Sequence, residues 1–592
     1  MDRRRFASEA SLSIVFALSL AATTTLPSCA TRARADLVLT NGFVYTVDAD
    51  GTVAQAVAIR ERKIVFVGSD AAAMEFAGNG TDVIDLQRRM LLPGFIDSHF
   101  HPGSGAGRIF NLQLRGFEPT KENYLAAVEA FADEHGDAAV IWGRGWSQAS
   151  FAGIGPRKEW LDAVVPERPV ILTSDGGHST WVNSRALELA GITRETPNPP
   201  GGVIERDPVS KEPSGTLREA ASALVSKVDP DDFSVAQYLE GFRWLQQNVT
   251  GPLGITGVFS AGGSVGSNAD VAAEQLARNG EMNFWLRGAY TARPSFDMGA
   301  WLEAAVEERS SHRTDHFQIT AIKFFEDGVI ESHTAWLLEP YADATGRPAG
   351  SNPRGLQLWQ PDALNSAVAA ANAKRFQTHH HSLADASAVE ALDAIAYSRR
   401  INGQLFPDSR DGLTHLTLVD SRDFERFAAL GVVAVAQPQW FLKDDYYYNV
   451  FVPYLGKERA DRSYPMKRFF DAGVVVAASS DWGVTDPPNP LYGIQTAVLR
   501  QFPIPPFGGR IPTEALWPEE RITLDQAIRS YTINGAYSNF LEAERGSIET
   551  GKFADLILLD RNLLEIDPSQ IADAKVLWTL FEGREVFRHP SL

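Results

Sequence analysis

Two patterns of hydrophobic and polar positions divide the chain. Residues 36–70 alternate apolar and polar positions in short runs that Asn-Gly and Asp-Gly turns interrupt, and residues 550–588 are similar. A period of two residues is typical of half-buried β-strands. We therefore predict one small β domain that both ends complete, from residues 30–90 and 545–592, with a large domain, residues 91–544, inserted between them.

The large domain has a different pattern, because short β-branched runs alternate there with helical stretches such as 385–399 and 421–430. The predicted strands are residues 91–101, 254–261, 283–290, 319–327, 376–381, 413–418, 432–437 and 474–481. Eight alternating strands and helices predict an α/β fold, a (β/α)8 TIM barrel. The stretch from about 105 to 230 is too long for one loop, so we expect an inserted α/β subdomain over the barrel mouth.

The N-terminus is typical of a targeting segment. Residues 3–6 read RRRF, which also resembles a twin-arginine signal, and the apolar run 12–22 is too short to span a bilayer. Residues 26–29 resemble a lipobox, in which Cys29 would be lipidated; the alternative is a cysteine that merely ends a signal. Residues 1–29 thus predict a signal peptide and an exported lipoprotein of the periplasm or cell envelope. The Cys29 anchor would be its only link to a membrane.

Composition limits the kind of partner and of site. The 592 residues include 55 Lys and Arg against 74 Asp and Glu, a formal net charge of −19, which argues against nucleic acid as the main partner. The single cysteine excludes an intrachain disulfide and a cysteine-rich zinc site. A metal site in this chain must therefore use His, carboxylate or Lys, and a small molecule is the expected substrate.

Candidate metal ligands lie on the predicted barrel strands. His99 and His101 end the first strand, and residues two apart face the same side, toward the mouth where barrel enzymes keep their sites. Further candidates on other strands are Lys323, His379, His380, His381, His415 and Asp481. Nitrogen and oxygen donors that converge from several strands are typical of a catalytic metal site. Taken singly, each strand histidine has the alternative of a hydrogen-bonded core residue, and Asp481 that of a helix N-cap.

Several segments carry a specific resemblance: DGGHSTWVNSRAL (175–187), IKFFEDGVIESHTAWLLEPY (322–341), HLTLVDSRDFERFAALGVVAVAQP (415–438) and SSDWGVTDPPNPLYGIQTAVLR (479–500). They resemble the metal-dependent amidohydrolase superfamily, in particular its YtcJ-like, N-substituted formamide deformylase-like branch. The resemblance covers nearly all of the mature chain. It implies a TIM barrel, a β-sandwich built from both termini, and one or two divalent metal ions, with zinc first and Mn, Fe or Co as alternatives.

The resemblance also implies roles for single residues. His99, His101 and Asp481 would hold the first metal, His381 and His415 the second, and Lys323 would bridge the two as a carbamate. A buried lysine with a depressed pKa can be carbamylated, which turns a cation into an anionic ligand. The alternative for Lys323 is an ion pair with Asp327 or Glu326.

Two departures from the family pattern bear on these roles. Asp385 follows His381 by four residues, and this spacing favours His381 over its neighbours as the metal ligand. Alternation along the strand would, however, place His379 on the same face. The choice among 379, 380 and 381 therefore stays open. Trp482 puts a bulky ring directly beside Asp481. Asp385 bears on the identity of one ligand, and Trp482 bears on the substrate.

The implied reaction is hydrolysis of an amide-type C–N bond in an N-substituted formamide or N-acyl compound. Asp481 would move the proton, and His178 would contact the substrate or stabilise the oxyanion, unless it makes a structural hydrogen bond. Tryptophans that could line an aromatic pocket, or else belong to the core, are Trp142, Trp146, Trp181 and Trp482. Alternative functions are hydrolysis of lactones, cyclic imides or carbamates on the same barrel, or a catalytically silent, lipid-anchored binding protein. Assembly into a homo-oligomer stays open.

Overall fold

The computed structural model describes residues 34–592 except residues 137, 152, 200, 229–232, 344–351 and 502–513. The predicted signal peptide and Cys29 lie outside the described residues, so lipidation and export stay predictions. Within the described ranges, no helix combines the length and the apolar character that crossing a membrane requires.

Strands and α-helices are numbered in chain order. The strands are β1 Leu37–Thr40, β2 Phe43–Tyr45, β3 Val53–Ala54, β4 Ala56–Arg60, β5 Lys63–Gly68, β6 Asp82–Asp85, β7 Met90–Pro93, β8 Phe95–Phe100, β9 Leu112–Gln113, β10 Ile141–Trp146, β11 Val170–Ser174, β12 Ser179–Val182, β13 Gly202–Arg206, β14 Pro213–Glu219, β15 Ile255–Ser260, β16 Trp285–Thr291, β17 Phe317–Phe325, β18 Gln377–Ser382, β19 Gly412–His415, β20 Val433–Ala436, β21 Val476–Ala478, β22 Leu556–Leu559, β23 Val576–Phe581 and β24 Arg584–Arg588. The helices are α1 Asp70–Ala73, α2 Pro102–Gly107, α3 Lys121–Glu134, α4 Lys158–Asp162, α5 Ser184–Ala190, α6 Val235–Leu245, α7 Asn268–Arg278, α8 Met298–Ser311, α9 Pro361–Ala373, α10 Asp385–Asn402, α11 Phe424–Leu430, α12 Val452–Leu455, α13 Lys457–Ala460, α14 Lys467–Asp471, α15 Pro490–Leu499, α16 Leu524–Ser530 and α17 Ile533–Ser538.

Eight parallel strands form the barrel in the order β8-β15-β16-β17-β18-β19-β20-β21. Backbone hydrogen bonds join its two outer strands, because the Asp481 N–H donates to the His99 carbonyl at 2.9 Å and the His101 N–H donates to the Trp482 carbonyl at 3.0 Å. These bonds also tie the candidate ligands of the first and last strands to one another. The predicted (β/α)8 fold class is confirmed.

The predicted strand 91–101 is two strands in the structure. β7 belongs to a terminal sheet and β8 to the barrel, and the chain passes from one to the other at Gly94. A Cβ on Gly94 would lie only 2.2 Å from Oγ1 of Thr256, so a side chain cannot be accommodated at this crossing. Period-two alternation continues across such a break, and for this reason the pattern alone did not show it.

The chain ends form two further sheets, as predicted, and the larger of them combines strands from both ends. A four-stranded sheet has the order β5-β4-β1-β6, and a six-stranded sheet has the order β24-β23-β22-β7-β2-β3. The C-terminal strand β22 pairs antiparallel with β7, so that Leu556 lies opposite Pro93. Leu39 and Val57 of the smaller sheet share one buried core with Leu558 of the larger, and burying each such side chain contributes about 1.5–3 kcal/mol.

A third sheet, in the order β13-β14-β12-β11-β10-β9, forms an α/β subdomain with α3, α4 and α5. Trp146 and Trp181 are completely buried in its core, with ring centroids 6.4 Å apart. The Trp146 Nε1–H donates to the Leu172 carbonyl at 2.8 Å, and the Trp181 Nε1–H donates to that of Arg157 at 3.0 Å. Both rings therefore lie in the core, which is the alternative that the sequence left open for them.

Candidate metal centre

Residues from the first and last barrel strands meet at the mouth. Oδ1 of Asp481 lies 3.1 Å from Nε2 of His101 and 3.4 Å from Nε2 of His99. His99 and Asp481 are almost fully buried, whereas the His101 side chain is 27% exposed. The ring of His99 therefore lies in the protein interior, and the ring of His101 lies at the entrance to the barrel mouth.

His415, at the end of β19, completes a cluster of three potential ligands. One ligand atom from each of His99, His415 and Asp481 lies within 4.8 Å of the other two. Zinc binds nitrogen and oxygen at about 2.0–2.2 Å, so donors to a single ion lie within about 4.4 Å of one another. Small side-chain adjustments would bring these three onto one divalent ion.

Two features of the cluster fit a cation. Oδ1 of Asp481 is buried and no well-aligned hydrogen bond reaches it, a situation that is costly for a carboxylate without a counter-charge. His415 and Asp481 also have left-handed backbone conformations, with φ of 75° and 55°, and such strained conformations concentrate at functional sites. The donor set thus suits a divalent metal ion.

The two buried histidines of the cluster, His99 and His415, are neutral. Burial lowers the pKa of His99 well below its usual value, and Lys323 and His415 add to the shift. Burial likewise lowers the pKa of His415 to about 3, although Asp481 opposes this shift. A neutral imidazole keeps a lone pair on one nitrogen, which is the form that binds a metal.

Lys323 lies on β17 with its side chain buried, opposite His379 of β18. It makes no ion pair with either carboxylate named above: Glu326 contacts Nδ1 of His380 at 2.6 Å, and Asp327 accepts from the backbone N–H of Leu383 at 3.0 Å. Burial lowers the pKa of Lys323 to about 7, while Asp481 and Glu326 oppose the shift. Much of this lysine is therefore an uncharged amine at neutral pH.

The three consecutive histidines separate onto two faces of β18. His380 points away from the site, because its ring nitrogens contact Glu326 and Oγ1 of Thr378. His381 lies 4.5 Å from His415 between ring centroids, and Nε2 of His379 lies 2.8 Å from Nδ1 of His99. A hydrogen bond that His99 donates to His379 leaves the lone pair of His99 Nε2 directed toward Asp481. His381 thus lies among the ligand candidates, and His379 lies behind His99.

His178 reaches the site from the inserted subdomain. Its ring centroid is 5.0 Å from that of His381, and Nδ1 contacts Oε2 of Glu219 at 2.8 Å. Oγ1 of Thr334 donates to the other oxygen of Glu219 at 2.7 Å. Burial alone would lower the pKa of His178, but the charge and hydrogen bond of Glu219 outweigh it and raise that pKa. The geometry makes His178 a candidate proton donor at the mouth.

Replacing Glu219 by Gln is expected to move the alkaline limb of the pH profile of kcat/KM to lower pH. A raised pKa keeps His178 protonated as pH rises, so removal of the carboxylate charge makes the proton leave earlier. Steady-state kinetics across pH would measure the shift, with the exposed Glu195→Gln as the matched control. An alkaline limb that Glu219→Gln does not move would contradict a proton-donating role for His178.

Sequence reasoning missed three supporting residues. Asp97 accepts hydrogen bonds from the backbone N–H and the hydroxyl of Ser480, at 3.1 and 2.5 Å. Gln437 contacts Nδ1 of His415 at 3.2 Å, and Glu219 holds His178. Asp97 was detectable, because it is two residues before His99 on the same strand face. Gln437 and Glu219 carry no such local signal, since each meets its histidine only through strand pairing or long-range folding.

An open cavity of about 410 Å³ lies beside His101. Its walls come from the ends of β15, β16 and β17 and include Thr291, Phe296 and Trp301. Trp482, by contrast, is only 1% exposed and packs on Phe100 with ring centroids 4.8 Å apart. The cavity has the volume of a small-molecule site, with aromatic side chains and a candidate metal ligand in its wall.

Known proteins are similar to this chain in sequence. The sequence model of the amidohydrolase family matches residues 82–587. LONG AFTER FAR-RED 3 of Arabidopsis thaliana is 30% identical to this chain, over 93% of the chain and 92% of that protein. YtcJ of Bacillus subtilis, named as an amidohydrolase, is 28% identical over 92% and 98%, and the N-substituted formamide deformylase of Arthrobacter pascens is 27% identical over 93% and 97%.

Solved structures agree with the fold. An uncharacterized metal-dependent hydrolase from Pyrococcus horikoshii superposes with a TM-score of 0.68 at 23% identity, over 90% of this chain and 99% of its own. A second such hydrolase, from Pyrococcus furiosus, gives a TM-score of 0.64 at 24% identity over the same shares. At these identities the likeness concerns the arrangement of barrel and terminal sheets.

Proposed function

Because this chain belongs to the amidohydrolase family, a family of metal-dependent hydrolases, we propose that it hydrolyses the amide-type C–N bond of an N-substituted formamide or another N-acyl compound. The observation that carries the proposal is the cluster of His99, His415 and Asp481 at the mouth of the barrel. The name of the Arthrobacter pascens relative, which covers nearly the whole chain, supports the choice of bond.

The residues proposed to hold one or two divalent ions are His99, His101, Lys323, His381, His415 and Asp481. When bound, such an ion polarises the substrate carbonyl and lowers the pKa of water toward neutrality. Nitrogen and oxygen donors of this kind suit zinc, and also Mn, Fe or Co. We propose zinc as the resident metal.

Asp481 is proposed to move the proton. Burial would raise its pKa, but the contact with His101 and the nearby His415 and Lys323 lower it, so the group is a carboxylate at neutral pH. It can therefore accept a proton from the attacking water and deliver it to the leaving nitrogen. His178, whose pKa Glu219 raises, is proposed to donate a hydrogen bond to the oxygen that gains negative charge.

Lys323 is proposed to be carbamylated. Its uncharged amine attacks carbon dioxide, a C–N bond forms, and one proton leaves to water, which yields an anionic carbamate. Lys323→Ala is expected to abolish turnover, and added propionate is expected to restore part of it because a free carboxylate replaces the missing one. Kinetics with and without propionate would measure this effect, with His415→Ala as the variant that propionate cannot rescue. Full activity with an amine that ¹³C NMR shows to be unmodified would contradict the carbamate.

A panel of substrates on the metal-loaded enzyme tests the function itself. N-benzylformamide, N-acyl amino acids, lactones, cyclic imides and carbamates would be compared by kcat/KM at one pH. We expect formamides or other N-acyl compounds to be the best substrates. Turnover of lactones alone would contradict the proposed hydrolysis of a C–N bond, but it would not contradict membership of the amidohydrolase family.

A further inference from the structure

Three arginines surround a small second cavity next to the metal centre. Arg108, Arg115 and Arg144 line it together with Trp482 and Gly483, which directly follow Asp481. Arg108 belongs to the loop after β8, whereas Arg115 and Arg144 belong to the inserted subdomain. Arg144 lies in the segment IWGRGWSQ, and Trp146 of the same segment packs in the core of the subdomain. The arginine of that segment thus faces the barrel mouth.

The three guanidinium groups differ in their partners. Arg108 forms an ion pair with Asp486 at 2.8 Å. Arg144 donates to two backbone carbonyls, that of Gly483 at 2.6 Å and that of Ser104 at 3.4 Å. Throughout the part of the chain that the structure describes, no carboxylate lies within ion-pair distance of Arg144. Its hydrogen-bond partners are therefore backbone carbonyls, and the more distant carboxylates of Asp481 and Asp486 also stabilise its charge.

Arg144 also lies next to the candidate metal ligands. A Cβ built on Gly483 would be 3.6 Å from Nη2 of Arg144 and 3.3 Å from Cβ of His101. The guanidinium of Arg144 and the Cβ of His101 are thus separated by little more than the width of one side chain. If the scissile bond of a substrate lies beside His101, a functional group close to that bond would be within reach of Arg144.

Electrostatics at this position favour an anion. Burial and the nearby Arg115 and Arg108 lower the pKa of Arg144 to about 10, so it stays charged at neutral pH. A half-buried guanidinium such as that of Arg144 can bind a carboxylate through paired, charge-assisted hydrogen bonds. The chain as a whole carries a net charge of −19 and repels anions, whereas the wall of this cavity has three arginines against the one carboxylate of Asp486, a local excess of positive charge.

We propose that Arg144, with Arg108 and Arg115 beside it, forms a subsite for the carboxylate of the substrate. This inference rests on the proposed function and narrows it: the preferred substrates are N-formyl or other N-acyl compounds that carry a carboxylate close to the scissile nitrogen, as N-acyl amino acids do. The apolar remainder of the substrate occupies the larger cavity, against Phe296 and Trp301.

The test compares an acid with its neutral analogue. For wild type and Arg144→Met, kcat/KM would be measured for N-formylphenylalanine and for N-formylphenylalaninamide. The wild type is expected to prefer the acid, and Arg144→Met is expected to reduce that preference at least about tenfold, the value of one charge-assisted hydrogen bond. Arg144→Lys keeps the charge and is expected to retain part of the preference. Arg293→Met, in the wall of the larger cavity, tests the competing location for the anion and is expected to keep the wild-type preference for the acid, whatever its effect on the absolute rates.

A binding experiment keeps the inference separate from catalysis. Thermal-shift titration with phenylacetate and with 2-phenylethanol gives affinities without turnover, and Arg144→Met is expected to weaken the acid about tenfold more than the alcohol. An equal loss for acid and neutral ligand would show a structural role for Arg144 and overturn the subsite. A selective loss in Arg293→Met alone would place the anion elsewhere and also overturn it. Selective binding without amide turnover would uphold the subsite and remove the proposed reaction.

Discussion

Asp481→Asn is expected to lower the rate per bound metal ion by roughly 10³- to 10⁴-fold, because an amide cannot accept the proton of the attacking water. The substitution keeps the size of the side chain and one oxygen atom. The loop is also held by backbone bonds, since the Asp481 N–H donates to the His99 carbonyl. The fold and most of the metal are therefore expected to persist. Turnover normalised to metal content, measured by plasma mass spectrometry, would separate lost chemistry from lost metal.

Two comparisons make this result decisive. Asp560→Asn removes a carboxylate that contacts Arg561 in the terminal sheets, and it is expected to leave the rate unchanged. A rate in Asp481→Asn within tenfold of wild type, at equal metal content, would show that another group carries the proton. Glu219→Gln combined with Asp481→Asn would then identify whether the pair of His178 and Glu219 takes over that task.

The barrel could be predicted from sequence because each of its elements is local. A strand such as β18 and the helix α10 after it show their own periodicities, and eight such units have few ways to close. The ends of those strands then had to converge, which placed His99, His415 and Asp481 together although His99 lies more than 300 residues before the other two. Alternation likewise separated His380 from His379 and His381 once the register of β18 was known.

The surroundings of the other candidate residues could not be predicted, because they depend on contacts that no local pattern encodes. Trp146 and Trp181 have the same appearance in sequence whether they line a pocket or fill a core, and the structure places them in the core of the inserted subdomain. Glu219 meets His178 only because β12 and β14 pair within that subdomain. Arg144 is similar, since its position beside Gly483 follows from how the subdomain docks on the barrel mouth. Sequence periodicity gives the elements, and tertiary docking decides which polar groups meet.

Removal of the metal is expected to abolish turnover and to lower the Tm. Chelation takes away the group that activates water, and it leaves the buried Oδ1 of Asp481 without a well-aligned hydrogen bond and without the metal as counter-charge. An ion that binds only the folded state stabilises it by about 4 kcal/mol when present at 1,000 times its Kd, so reloading is expected to restore both properties. Activity and Tm would be measured after dialysis against a chelator and after return of Zn, Mn, Fe or Co.

Variants of single histidines test whether the loss of turnover after metal removal arises at the proposed ligands. His99→Ala and His415→Ala each remove one member of the three-residue cluster and are expected to lower metal content and turnover together. His589→Ala, half-buried near the C-terminus, removes an imidazole outside the three-residue cluster and is expected to change neither. Unaltered metal content in both His99→Ala and His415→Ala would mean that the ion binds elsewhere. Because these histidines and Asp481 surround the only place where water, proton acceptor and substrate carbonyl are proposed to meet, that result would remove the basis of the hydrolytic mechanism.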